Sequence, residues 1–264
     1  MLEKATHERY QQYLHMMLRD FDALCSAYDV KYSLAFGTML GAVRHQDFIP
    51  WDDDIDVYMT RENYHKFQLA IKKESKKDDS RYRHYYLWGL ESFNNYFYGY
   101  LAKFCDSRTL LVEKKKREVK YGAFIDIFVL DRLPKSLSVR FYVPVYKLVC
   151  RGMIGLQHRQ VLRSLVNAMS RFLDRWAFMG NSNGVESYIN IGCSDRWGKR
   201  ADYVFPEQWI EEFVSIKFGD YSYPVFKEYK AMLSRQYGNY MELPPLDKRY
   251  VHDCKVLLPK EDNE

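Results

Sequence analysis

Between Ala123 and Leu130 the chain reads Ala-Phe-Ile-Asp-Ile-Phe-Val-Leu, an apolar run with a single aspartate, Asp126, inside it. β-Branched and aromatic residues on both faces predict a central strand, and such a strand must be covered on both sides by other layers. A lone carboxylate at that depth is costly unless it meets a partner, so Asp126 is expected to face a bound metal rather than solvent. The fold class that follows is α/β (α+β), a mixed sheet core with flanking helices.

The surrounding pattern supplies the helices and further strands. From about Thr6 to Tyr28 apolar residues recur at helical spacing (Tyr10, Leu14, Met17, Leu18, Phe21, Leu24), which predicts an amphipathic helix packed on the sheet. Tyr32–Phe36 reads as a strand stopped by Gly37-Thr38, with a short helix from Met39. Ile55–Met59 is a second strand, and a helix is expected from Arg61 to about Lys73 before a charged loop that runs to Arg83. Tyr85–Trp88, Tyr96–Phe104 and Thr109–Glu113 are further strand candidates. Past Pro134 the pattern turns helical over roughly 137–151 and 157–179, so a core over 1–134 and a mainly helical lobe over 135–264 are expected.

The chemistry concentrates at Asp52-Asp53-Asp54-Ile55-Asp56, four carboxylates within five residues. Their mutual repulsion is relieved by a hard divalent cation, which prefers an all-oxygen environment. Strand alternation sends Asp54 and Asp56 to one face with Ile55 on the other. Upstream, Gly37 and Thr38 stand where a strand gives way to a helix, and helix N–H groups there can hold a phosphate. Arg44 is within reach to fork onto phosphate oxygens. With Asp126 as a third ligand, these residues point to a metal-dependent site for a phosphate-bearing substrate, with Mg2+ or Mn2+ as the cofactor.

Composition narrows the partners. A net charge of +5 from 40 basic and 35 acidic residues is too small to argue for nucleic acid. Five scattered cysteines, none at metal-ligand or redox spacing, read as reduced thiols. No signal peptide and no membrane-spanning apolar run are legible, so a cytoplasmic location is expected. Between Val139 and Met179, basic residues four apart (Lys147 and Arg151, Arg159 and Arg163, Arg171 and Arg175) alternate with aromatic and aliphatic ones. Helices of that kind lie on anionic membrane surfaces, which suggests peripheral attachment at the inner face of the membrane.

Gly37-Thr38-Met39-Leu40-Gly41-Ala42-Val43-Arg44-His45, followed by Phe48-Ile49-Pro50-Trp51 and the acidic run, resembles the LicD family, to which fukutin-related proteins belong. The resemblance continues at Tyr98–Thr109, at Gly122–Asp131 and at Tyr237–Pro245 before His252; Asn239 and Val129 depart from it. It implies a nucleotidyltransferase-like fold and transfer of phosphocholine, or a similar phospho-alcohol, from a CDP-linked donor such as CDP-choline to a sugar hydroxyl. The acceptor would be a soluble or lipid-linked glycan precursor of teichoic acid, lipopolysaccharide or capsule. Carried over by position, Asp54, Asp56 and Asp126 look like the metal ligands, Gly37 and Thr38 the phosphate loop, and Arg44 and Lys103 donor-phosphate contacts. Asp126 is the expected proton acceptor, with Asp131, His45 and His252 as alternatives. Nucleotidyl transfer to a sugar or alcohol phosphate is the rival reaction, and a non-catalytic, cation-dependent glycan or lipid-binding module the rival class.

Overall fold

A computed structural model describes residues 2–88, 101–114, 118–134, 148, 185–189, 203–249 and 254–260. The helices expected over 137–151 and 157–179, with their basic faces, lie outside the described residues except for Leu148. No described helix is long and apolar enough to cross a membrane.

Helix α1 (His7–Ala27) matches the expected amphipathic helix. The Thr6 hydroxyl caps it by accepting from the Arg9 N–H, and Tyr10, Leu14, Met17, Leu18, Phe21 and Leu24 are buried. Each large apolar side chain so removed from water contributes about 1.5–3 kcal/mol. Strand β3 (Asp56–Thr60) passes directly into α3 (Arg61–Glu74), because the Thr60 hydroxyl caps the helix by accepting from the Asn63 N–H. Phe21 of α1 and Phe67 of α3 meet over Phe104 (centroids 5.5 and 5.7 Å away) and so cover one face of the sheet.

The main sheet runs β1 (Leu2–Lys4), β11 (Cys254–Pro259), β5 (Leu101–Lys114), β6 (Glu118–Pro134), β3 and β2 (Ser33–Leu34). β4 (Tyr85–Trp88) joins β5, while β7 (Val185–Ile189) joins β6 and carries β8 (Val204–Pro206). The sheet is mixed: β3 and β6 pair in parallel, and the other described pairs are antiparallel. β6, the apolar run around Asp126, is the central strand. The core sheet also recruits strands from beyond residue 134, since β11 lies between β1 and β5. A separate hairpin, β9 (Phe213–Phe218) and β10 (Tyr221–Phe226), leads to α4 (Tyr229–Tyr237).

Two local expectations need correction. Thr109–Glu113 is not a separate strand but the second half of β5, whose pairing with β6 shifts register between Asp106 and Leu111. The polar residues there satisfy the irregularity: the Thr109 hydroxyl donates to the Asp106 carbonyl and accepts from the Ala123 N–H, both at 2.7 Å. Opposite it, a Cβ on Gly122 would lie 2.0 Å from the Asp106 carbonyl oxygen, so only glycine fits.

The second correction concerns α2, which spans Phe36–His45 and takes Gly37 and Thr38 into its first turn. The turn out of β2 is made by Phe36, whose φ of 42° is left-handed. For a bulky residue that costs about 1–2 kcal/mol. Its ring is held against Tyr58, Phe128 and Tyr203, with centroids 5.0, 4.5 and 5.9 Å away.

Candidate active site

The parallel pairing of β3 with β6 sets Asp56 opposite Asp126, and the antiparallel pairing of β6 with β5 sets Asp126 opposite Lys103. Residues in register across a sheet share a face, so the three form one row. All three are buried, at 8%, 7% and 6% exposure. The Lys103 ammonium donates to Asp126 Oδ1 at 2.6 Å and stands 3.4 Å from the centre of the Phe124 ring. The partner that Asp126 requires at that depth is therefore, in part, Lys103.

The Asp56 carboxyl is electrostatically strained. Burial, and then the charges of Asp54, Asp126 and Asp52, push it well above the usual carboxylate range, while Lys103 pulls it down. Its backbone is tightly held: the Asp56 N–H donates to Thr38 Oγ1 (2.9 Å) and its carbonyl accepts from the Ala35 N–H (2.9 Å). Thr38 thus ties the first turn of α2 to the start of β3. Gly37 has a steric reason to be there, because a Cβ would lie 2.7 Å from Asp52 Oδ2.

The acidic loop is anchored to α1 from two sides. A His7 ring nitrogen lies 3.1 Å from the Pro50 carbonyl, and Gln11 Nε2 donates to the Asp52 carbonyl at 2.8 Å. One carboxylate oxygen each from Asp52, Asp53 and Asp54 lies within 4.8 Å of the others. These hard oxygen donors, with the repelled Asp56 beside them, fit a divalent cation such as Mg2+ or Mn2+.

Arg44 is placed differently from a simple surface arginine. Its Nη1 donates to the carbonyls of Tyr240 (3.2 Å) and Glu242 (3.4 Å), and its Nε to His45 Nε2 (3.1 Å). Arg249 stacks on Trp51 at 4.4 Å and donates to the Pro244 carbonyl. The two arginines strap the stretch after α4 against the acidic loop, which brings the Tyr237–Pro245 motif to the site. Among the alternative proton acceptors, His45 uses Nε2 to accept from Arg44, and burial followed by the Arg44 charge holds its pKa below the usual histidine value. Asp131 is bound in a bidentate pair with Arg61 (2.7 and 2.9 Å). His252 lies outside the described residues.

The structure adds residues that the sequence reading did not single out. Asp53 is buried, and the Cys254 thiol of β11 donates to its Oδ2 at 3.8 Å. Tyr237 is 43% exposed, yet its phenol is pushed up by desolvation and then by Asp56, Asp52 and Asp54. The Tyr10 phenol of α1 is pushed up by burial and then by Cys254, Asp53, Asp54 and Asp126, although its helical spacing signals only a core position.

The chain is similar to known proteins along most of its length. Residues 29–130 match the LicD/FKTN/FKRP nucleotidyltransferase domain. Over 262 residues the chain is 30% identical to the lipopolysaccharide cholinephosphotransferase LicD of Haemophilus influenzae, covering 92% of this chain and 95% of that protein. Shorter matches reach an uncharacterized protein of Rickettsia typhi (40% over 58 residues; 22% of this chain, 19% of that one) and one of Rickettsia prowazekii (42% over 50 residues; 19% of each). With a relative similar along nearly its whole length and the family's domain lying over the strands that carry Asp56 and Asp126, the chain belongs to the LicD family of phosphotransferases.

Proposed function

We propose that the chain transfers phosphocholine, or a similar phospho-alcohol, from a CDP-linked donor to a sugar hydroxyl of a cell-surface glycan precursor. The observation that supports this reading is the buried row Asp56, Asp126 and Lys103, with Asp54 beside it, in a chain similar throughout to a cholinephosphotransferase. Asp54, Asp56 and Asp126 would hold Mg2+ or Mn2+. Such an ion supplies charge neutralisation on the donor diphosphate. The chain's own groups do the rest: Lys103 and Arg44 meet donor phosphates together with the Gly37-Thr38 turn, and Lys103 fixes the orientation of the Asp126 carboxylate. Asp126 takes the proton of the acceptor hydroxyl as its oxygen bonds to phosphorus and the P–O bond to cytidine monophosphate breaks.

The test is incubation of the purified protein with Mg2+, a glycan acceptor and CDP-choline, CDP-ribitol or CDP-glycerol. Release of cytidine monophosphate with one donor, abolished by EDTA and restored by Mg2+, is the expected result. Release of diphosphate from a nucleoside triphosphate and a sugar or alcohol phosphate would assign nucleotidyl transfer instead. Activity that persists in excess EDTA would remove the metal from the reading.

Arg44→Lys keeps the charge but loses the planar fork that spans the strap carbonyls and His45. Donor KM is expected to rise about tenfold, a loss of about 1.4 kcal/mol of binding, with a smaller change in kcat. Unchanged donor kinetics would exclude Arg44 from donor binding.

A further inference from the structure

Lys103 is held by two unlike partners. Its ammonium donates to Asp126 Oδ1 at 2.6 Å and stands 3.4 Å from the centre of the Phe124 ring, with the Tyr121 ring centre 5.4 Å away. The sheet imposes this arrangement. Phe124 and Asp126 stand two apart on β6 and so share a face, and Lys103 lies opposite Asp126 on β5, one diagonal step from Phe124. The ring is itself steadied: Tyr121 meets it edge to face at 5.3 Å, and Trp88 of β4, which pairs with Lys103, lies 5.5 Å from Tyr121.

An ammonium carries three donors. Among the described residues its one hydrogen-bond acceptor is Asp126, which leaves the other N–H groups for the oxygens of a ligand. Lysine brings its charge on a flexible four-carbon stem, and fixing that stem in advance removes an ordering cost that ligand binding would otherwise meet. Asp126 alone is a poor anchor for it, because on the function proposed above its carboxylate also serves the metal and the acceptor proton. The Phe124 face has no such competing duty, and an ammonium buried over a ring lies at the strong end of cation–π attraction.

We propose that Phe124 is a positioning residue for the phosphate-bearing donor: its ring face holds the Lys103 ammonium where the N–H groups not used by Asp126 meet the donor diphosphate. The inference rests on the function proposed above and adds to it an uncharged residue that acts on the donor through Lys103.

The test replaces Phe124 in the full chain by mono-, di- and trifluorophenylalanine, which withdraw negative charge from the ring face while closely preserving its shape. Donor KM, measured with the CDP-alcohol that the protein turns over, is expected to rise stepwise along the series, about tenfold at its end, with acceptor KM unchanged. The same series at Phe104, a buried ring set against Phe21, Phe67 and Tyr85, is expected to leave donor KM unchanged. Far-UV circular dichroism establishes that each variant is folded, and the monofluoro variant carries the test if the trifluoro variant is not. Donor KM that stays flat across the Phe124 series would overturn the inference and leave the proposed function standing. A rise matched in the Phe104 series would assign the effect to packing and overturn it as well. No CDP-alcohol turned over by the wild type would remove both.

Discussion

Asp54→Asn, Asp56→Asn and Asp126→Asn are each expected to lower kcat about a thousandfold, which corresponds to about 4 kcal/mol of transition-state stabilisation. Asparagine preserves volume and removes the charge, so the loss reads electrostatics rather than packing. Stability separates the variants further. The charged form of Asp56 is disfavoured by burial and by the repulsion of Asp54, Asp126 and Asp52. A carboxyl whose pKa is raised on folding destabilises the native state above its unfolded pKa and ceases to do so as pH falls. Without added metal at neutral pH, Asp56→Asn should therefore raise Tm while it abolishes turnover, a divergence familiar where function maintains strain. Asp126→Asn should lower Tm, because it leaves the buried Lys103 ammonium without its carboxylate. Turnover near wild type in any of the three removes that residue from the site, and a fall in Tm for Asp56→Asn would contradict the electrostatic account of it.

The largest expected loss of stability lies away from the chemistry. Arg61, the first residue of α3, forks onto Asp131 of β6, and both residues are buried, at 7% and 2% exposure. Removing one partner strands the other charge in the interior, so Arg61→Ala is expected to cost about 3–5 kcal/mol. Replacing both at once, as Arg61→Met with Asp131→Leu, should recover most of that loss, since an apolar pair avoids the desolvation of two ions. Urea denaturation of the two variants measures the difference. If the double variant is as unstable as Arg61→Ala, the pair contributes something beyond mutual neutralisation.

Much of the fold was legible because its signals are local. The caps Thr6 and Thr60 mark the starts of α1 and α3, and the apolar run around Asp126 does become the central strand. The halves of β5 were not read as one strand, because Cys105–Arg108 breaks the strand pattern in sequence, and the irregularity there is satisfied by its own hydroxyl, carboxylate and guanidinium groups. In the site, the lone carboxylate of the apolar run singled out Asp126, and β3 does set Asp56 opposite it, but Asp54 precedes β3, so strand alternation does not place it. What pairing register alone decides was out of reach: that Lys103 faces Asp126, and that Cys254 arrives beside Asp53 from the far end of the chain. Tyr10 was hidden for a different reason, since a helical core position and a hydroxyl at a polar site have the same spacing.

Phe36 gives the site a dependence on residues that carry no charge. Its ring packs on Tyr58 and Phe128, which face each other across β3 and β6 two residues beyond Asp56 and Asp126 and therefore on the same face of the sheet. The left-handed turn that launches α2, with Thr38 on Asp56 and Gly37 against Asp52, is kept in place by that contact. On the function proposed above, the alignment of the carboxylates is thus inherited from an aromatic lock in the core. Sequence drift among those rings and drift in catalytic power amount to a single variable, and a homologue can keep every carboxylate yet lose its activity through a ring that no longer fits.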